Sequence, residues 1–196
     1  MMNKVLCSLL LFLSISCGLQ GRNANYARDS KRIWLDSKEI HHGEYVWKMK
    51  KAGDVISSAE KVSTLGYDTS DWLSAIVPGT VLNSLVYNKE YPEPYYGVNN
   101  KLESGKIPDI SKVGREFYTY WFRTEFDVPE SFAGKTIWLQ PDGVNYRAEI
   151  WVNGNLLSTL NGMFISDYIN VTDFVKVGRK NILAVKVYPV SYTHLR

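Results

Sequence analysis

From Val144 onward the chain alternates between apolar and polar positions until it reaches a turn. Val144, Tyr146, Ala148, Ile150 and Val152 fall on one side, and Asn145, Arg147, Glu149, Trp151 and Asn153 on the other. A side-chain period of two belongs to a strand with one face toward a core. Asn153-Gly154 ends the run with the dipeptide best suited to positive φ at both turn positions, so Gly143–Gly154 predicts a tight hairpin. On its polar side Arg147 and Glu149 are neighbours, placed either to pair or to meet a polar ligand together.

The same alternation recurs along the chain. Phe117–Val128 places Tyr118, Tyr120, Phe122, Thr124, Phe126 and Val128 on one face, with Trp121, Arg123, Glu125 and Asp127 opposite. Asn181–Tyr188 turns Leu183, Val185 and Val187 inward, and Thr136–Gln140 and Leu156–Leu160 are shorter strands. Asp167–Val177 reads as a strand with a small turn of helix, and Ile33–Leu35 and Tyr45–Met49 supply early strand material. Thr80 can cap a helix whose Val81, Leu82, Leu85 and Val86 share one face. Asp54–Leu65 is open between a short helix and a loop. Short, evenly spaced strands with Gly, Asn and Pro turns and a single short helix predict an all-β antiparallel sandwich.

Composition narrows the function. A formal charge of +3 over 196 residues gives no basic stripe for nucleic acid. Six Trp, thirteen Tyr and seven Phe suit a pleated sheet and equally suit carbohydrate, whose apolar faces lie against rings. Both cysteines, Cys7 and Cys17, precede the domain, so no disulfide or thiolate site is expected within it. His41, His42 and His194 are joined by no Cys or acidic cluster, and neither a metal nor a cofactor is expected.

Met1–Gly21 reads as an export signal, with Lys4 ahead of an apolar stretch at Val5–Ile15. That stretch is shorter than the roughly 20 residues of a spanning helix. Cleavage after Ser16 would leave Cys17 as a lipidation candidate. Ser14 and Ser16 equally suit an ordinary signal peptidase. The expected destination is periplasmic, or a surface of the outer membrane or cell reached through that lipid anchor. Residues 22–30 form a polar linker, 31–190 the domain and 191–196 an anomalous tail. Asn170-Val171-Thr172 matches a glycosylation sequon, to which a bacterial-style leader gives little weight.

The irregular stretch Tyr91–Asn100 is stiffened by Pro92 and Pro94 and eased by Gly97. It presents Tyr95, Tyr96, Asn99 and Asn100, two rings and two amides, a combination that suits a sugar. The alternative is that the tyrosines pack the loop down while the asparagines satisfy its turns.

An ordered set of short motifs runs through nearly the whole domain. It comprises Trp72, Val77-Pro78-Gly79-Thr80-Val81, Glu93-Pro94-Tyr95-Tyr96-Gly97 with Asn99, and Tyr120-Trp121-Phe122-Arg123, followed by Gly143–Gly154, Gly162-Met163-Phe164, Val171-Thr172 and Asn181–Val187. With these, the chain resembles the N-terminal sugar-binding domain of glycoside hydrolase family 2, nearest its exo-β-glucosaminidase and β-mannosidase branch. Glu93 stands where that branch usually has Asp. The resemblance implies a jelly-roll, galactose-binding-domain-like sandwich beside a separate catalytic barrel whose two glutamates perform retaining hydrolysis. Such carboxyl groups stand about 5–5.5 Å apart. The sequence contains no Asn-Glu dipeptide of the family's acid/base type, so no catalytic residue is expected in it. The implied partners are a β-linked glycoside and the barrel, with the Tyr95–Asn100 loop walling the sugar from the side. Ser191–Arg196 does not resemble the family's continuation, and a truncated chain is expected. The alternatives are a stand-alone, surface-anchored carbohydrate-binding module and a purely structural sandwich.

Overall fold

The computed structural model describes residues 32–38, 45–163 and 165–190, together with the backbone of residues 13–18. Two antiparallel sheets form the molecule. The six-stranded sheet has the order β4-β3-β5-β10-β7-β8: Leu73–Ser74, Trp47–Lys51, Tyr120–Asp127, Lys180–Tyr188, Arg147–Val152 and Asn155–Asn161. The four-stranded sheet has the order β2-β1-β6-β9: Arg32–Trp34, Leu13–Gly18, Thr136–Pro141 and Ile169–Asn170. The backbone of β1 lies within the segment expected to be an export leader. The rest of that leader, His41, His42, the linker 22–30 and the tail 191–196 lie outside the described residues.

The core follows the alternation. Met49, Phe122, Phe126, Ile137, Leu139, Ala148, Ile150, Val152, Leu183, Val185 and Val187 are buried in one cluster to which both sheets contribute. The predicted hairpin forms, with Val152 paired to Asn155 and both turn residues at positive φ, Asn153 at 47° and Gly154 at 88°. Asn153 also ties the turn to the next strand. Its Nδ2 donates to Phe174 O at 2.7 Å and to Asn181 Oδ1 at 2.8 Å, and its Oδ1 accepts from Ile182 N at 2.9 Å.

Several elements differ from the sequence reading. Strand β7 begins at Arg147, and Val144 ahead of it bridges Ile165 instead. Phe117 and Tyr118 lie in a 3-10 turn, where the Tyr118 hydroxyl donates to Pro108 O at 2.6 Å. Of Asp167–Val177, only Ile169–Asn170 is strand. The expected single helix is α2, Val81–Tyr87, with Thr80 accepting from Asn83 N at 2.8 Å as its cap. Two further one-turn helices, α1 (Ala59–Val62) and α3 (Ile110–Val113), are too short to leave a 3.6-residue period in the sequence.

The outer face of the six-stranded sheet is partly covered. Val62, Trp72, Trp121, Trp151 and Ala184 form a second buried cluster, against which Tyr67, Val55 and Ala59 pack. Arg123 pins this cover: its Nε donates to Val62 O and its Nη2 to Thr64 O, each at 3.0 Å. Burial lowers the pKa of this guanidinium, and the nearby Glu125 carboxylate opposes that shift. The side chain that alternation placed opposite the apolar face is therefore a structural clamp.

Candidate functional site

The Tyr91–Asn100 loop is rooted in the core and open at its tip. Tyr91 packs against the main core cluster beside Tyr118, and Tyr120 is buried at the start of β5. Burial pushes the Tyr120 hydroxyl up to about 12, with Tyr91 adding to the shift. These three tyrosines hold the root. Tyr95 and Tyr96 have no such role: each residue is 77% exposed.

The loop's own hydrogen bonds fix how those rings are presented. Tyr96 N donates to Glu93 O at 3.2 Å and Asn99 N to Tyr96 O at 3.2 Å. Gly97 supplies the positive φ, 58°, that this tight path requires. Asn99 is buried, its Nδ2 donating to Glu93 O at 2.9 Å and its Oδ1 accepting from Lys106 Nζ at 2.9 Å. Asn99 therefore organises the loop from inside, while Asn100 is exposed. Of the four residues singled out from the sequence, Tyr95, Tyr96 and Asn100 are exposed and Asn99 is a buried strut of the loop.

The strand register brings a second group to the same end of the sandwich. Lys51 pairs with Tyr120, Val187 with Tyr120 and Tyr188 with Arg147, so the loop root, the end of β10 and the start of β7 are adjacent. There the Tyr188 hydroxyl donates to Glu149 Oε1 at 2.7 Å, and Arg147 Nη2 stands 3.6 Å from the same carboxylate oxygen. The Arg147 guanidinium lies 4.9 Å from the centre of the Tyr188 ring, and Lys186 Nζ lies 5.4 Å from it. Burial, then the hydrogen bond to Glu149, raises the Tyr188 pKa. Alternation along β7 had flagged Arg147 and Glu149. Tyr188 and Lys186 carried no signal of their own, since their role depends on which strand lies beside β10.

Among the described residues no three His, Cys, Asp or Glu side chains converge to hold a metal ion. Cys17 is described only as backbone, within β1.

Residues 47–194 match the family described as glycosyl hydrolase 2 galactose-binding domain-like. The chain is 40% identical over 124 residues to a mannosylglycoprotein endo-β-mannosidase of Lilium longiflorum, covering 63% of this chain and 12% of the relative. It is 29% identical over 137 residues to an exo-β-D-glucosaminidase of Amycolatopsis orientalis, covering 68% of this chain and 12% of the relative. The exo-chitosanase CsxA of Amycolatopsis orientalis, solved as a complex with PNP-β-D-glucosamine, is similar with a TM-score of 0.61 at 27% identity. That likeness covers 75% of this chain and 17% of CsxA. A glycosyl hydrolase family 2 member from Bacteroides cellulosilyticus DSM 14838 shares the fold, with a TM-score of 0.51 at 20% identity over 74% of this chain and 17% of its own. The chain thus spans well under a fifth of the length of each.

Proposed function

The chain belongs to the glycosyl hydrolase 2 galactose-binding domain-like family, and from that premise we propose that it is the accessory, sugar-facing domain of an exported family 2 glycosidase. Hydrolysis of the β-linked glycoside takes place on a separate catalytic domain. This domain contributes a side wall, made by the Tyr95 and Tyr96 rings and the Asn100 amide. The observation that carries this reading is the loop itself: two tyrosines, each 77% exposed, on a backbone held from within by Asn99. Exposing two large rings forgoes the gain from burying them, and a rigid loop lowers the entropy lost when a ligand is met. A pyranose offers an apolar face for the rings and hydroxyls for the amide.

Saturation-transfer NMR of the chain with methyl β-D-glucoside, β-D-mannoside and β-D-glucosaminide tests this. The expected result is weak, millimolar binding that disappears in the Tyr95→Ala/Tyr96→Ala double variant. Submicromolar binding to an oligosaccharide would instead make the chain a stand-alone binding module, and binding unaffected by the double variant would remove the loop from the site.

Export and lipidation at Cys17 are part of the proposal, supported by the apolar stretch Val5–Ile15 and the small residues Ser14 and Ser16. Processing after Ser16 would remove Leu13–Ser16 from β1 and leave most of the β6 edge unpaired. Mass spectrometry of the mature N-terminus decides this: a diacylated Cys17 supports the lipoprotein, and an intact Met1 contradicts export.

A further inference from the structure

Arg147 is sparsely bonded for a partly buried charged group. A guanidinium carries five N–H donors. Among the described residues its charged partner is Glu149 at 3.6 Å, beyond hydrogen-bond length, and its Nε is shielded with no partner. The side chain is nevertheless held in place. It is stacked on Tyr188, whose hydroxyl is anchored on Glu149, and its outer edge is open, with the side chain 42% exposed. Lys186 lies on the same sheet face opposite Glu149, with its Nζ 5.6 Å from the centre of the Trp121 ring and 5.4 Å from that of Tyr188.

The surrounding groups leave positive charge in excess. Glu149 is the one carboxylate within this cluster, and it already accepts the Tyr188 hydroxyl. On β8, the residues opposite Arg147 and Glu149 are neutral, Asn161 and Thr159. Glu116 on the 3-10 turn acts on Tyr188 through space, but it is exposed and paired with Arg115 at 3.4 Å. Two cations thus face one engaged anion. A planar, preoriented guanidinium with an open edge is suited to a carboxylate, which it can meet with two parallel hydrogen bonds.

We infer that Arg147, supported by Lys186 and oriented by Tyr188 and Glu149, is a binding position for a carboxylate at the loop end of the six-stranded sheet. That carboxylate is the one of a uronic acid unit of a glycan, a source that rests on the sugar-facing reading above.

The test follows the ¹⁵N–¹Hε signal of Arg147 during titration of the chain with methyl β-D-glucuronide, with methyl β-D-glucoside as the neutral control. The uronide is expected to shift this signal and the glucoside to leave it unmoved. Arg147→Gln should weaken uronide binding by about tenfold or more, the loss of a charge-assisted contact. Glu149→Gln should change it the opposite way, tightening it severalfold, because a competing anion is removed while an acceptor for Tyr188 is kept. A merely structural role for the cluster gives no such opposition of sign, and the Tyr188 environment in Glu149→Gln reports whether the cluster is intact. The absence of a uronide shift overturns the inference. In the two-domain enzyme, separation of one thermal transition into two on Arg147→Gln would then give the position to an acidic side chain of the catalytic domain instead. Glucoside binding lost in Tyr95→Ala/Tyr96→Ala would in that case leave the sugar-facing reading standing by itself.

Discussion

Replacing Asn99 with alanine separates the strut of the loop from its surface. The variant keeps the two backbone bonds at this position, Asn99 N to Tyr96 O at 3.2 Å and Ser104 Oγ to Asn99 O at 3.1 Å. It loses the donation to Glu93 O and the acceptance from Lys106 Nζ, each at 2.9 Å. A neutral hydrogen bond contributes about 1 kcal/mol and one to a charged group about 1.5–3 kcal/mol, but Lys106 regains water once released. The loop's closed state should therefore weaken by about 2–3 kcal/mol, equivalent to a roughly 30- to 150-fold rise in local opening. Amide exchange at Asn99 and Lys101 should accelerate by that factor, and trypsin should cut sooner after Lys101 and Lys106. Exchange in β10 should not change, because the loss is local to the loop. Tyr95→Ala removes an exposed ring and should alter neither readout. If Asn99→Ala exchanges like the parent to within about threefold, Asn99 is not the strut and the argument for a preformed surface fails.

Three other perturbations have definite expectations. Arg123→Met leaves the Val62 and Thr64 carbonyls without their donor and should lower stability by about 2–3 kcal/mol, a fall in Tm of roughly 5–12 °C by calorimetry. Asn153→Ala breaks three hydrogen bonds at the β7–β8 turn and should cost about 2–4 kcal/mol in a urea melt, whereas Asn153→Asp should recover part of this by keeping an acceptor for Ile182 N. Alkaline pH acts through Tyr120, whose pKa is pushed to about 12 in the folded chain. Between the ordinary tyrosine value near 10 and this folded value, the folded state holds more protons than the unfolded one. The contribution of Tyr120 is therefore complete below pH ~10 and falls as pH rises toward ~12, by at most about 3 kcal/mol. Tyr120→Phe should make the alkaline decline shallower without abolishing it, because Tyr188 is also raised, and an unchanged slope in the variant would show that Tyr120 ionisation does not contribute.

Where one face of a strand meets the core and the other meets polar surroundings, the period of two sufficed to read the fold. That is why Phe122 and Phe126, Leu183 to Val187, and the Asn153-Gly154 hairpin were legible. Arg123 and Trp151 were not, because both lie on the alternate face and are buried by α1 and its flanking loops. That segment has too little periodicity to announce that it folds back onto the sheet. The site divides along the same line. Loop composition pointed to Tyr95, Tyr96 and Asn100, but an amide at a loop's surface and one beneath it look alike in sequence, and Asn99 is the latter. Tyr188 and Lys186 became interpretable only through pairing of β10 with β7, a contact between segments some forty residues apart.

The most direct test compares kcat/KM for aryl β-glycosides in the two-domain enzyme and its Tyr95→Ala/Tyr96→Ala variant, with Tm measured on both. A side wall made by the two rings predicts a loss of about tenfold or more, the scale of one or two displaced aromatic contacts, at unchanged Tm. Unchanged kcat/KM in a fully folded variant would contradict a role for this domain at the sugar.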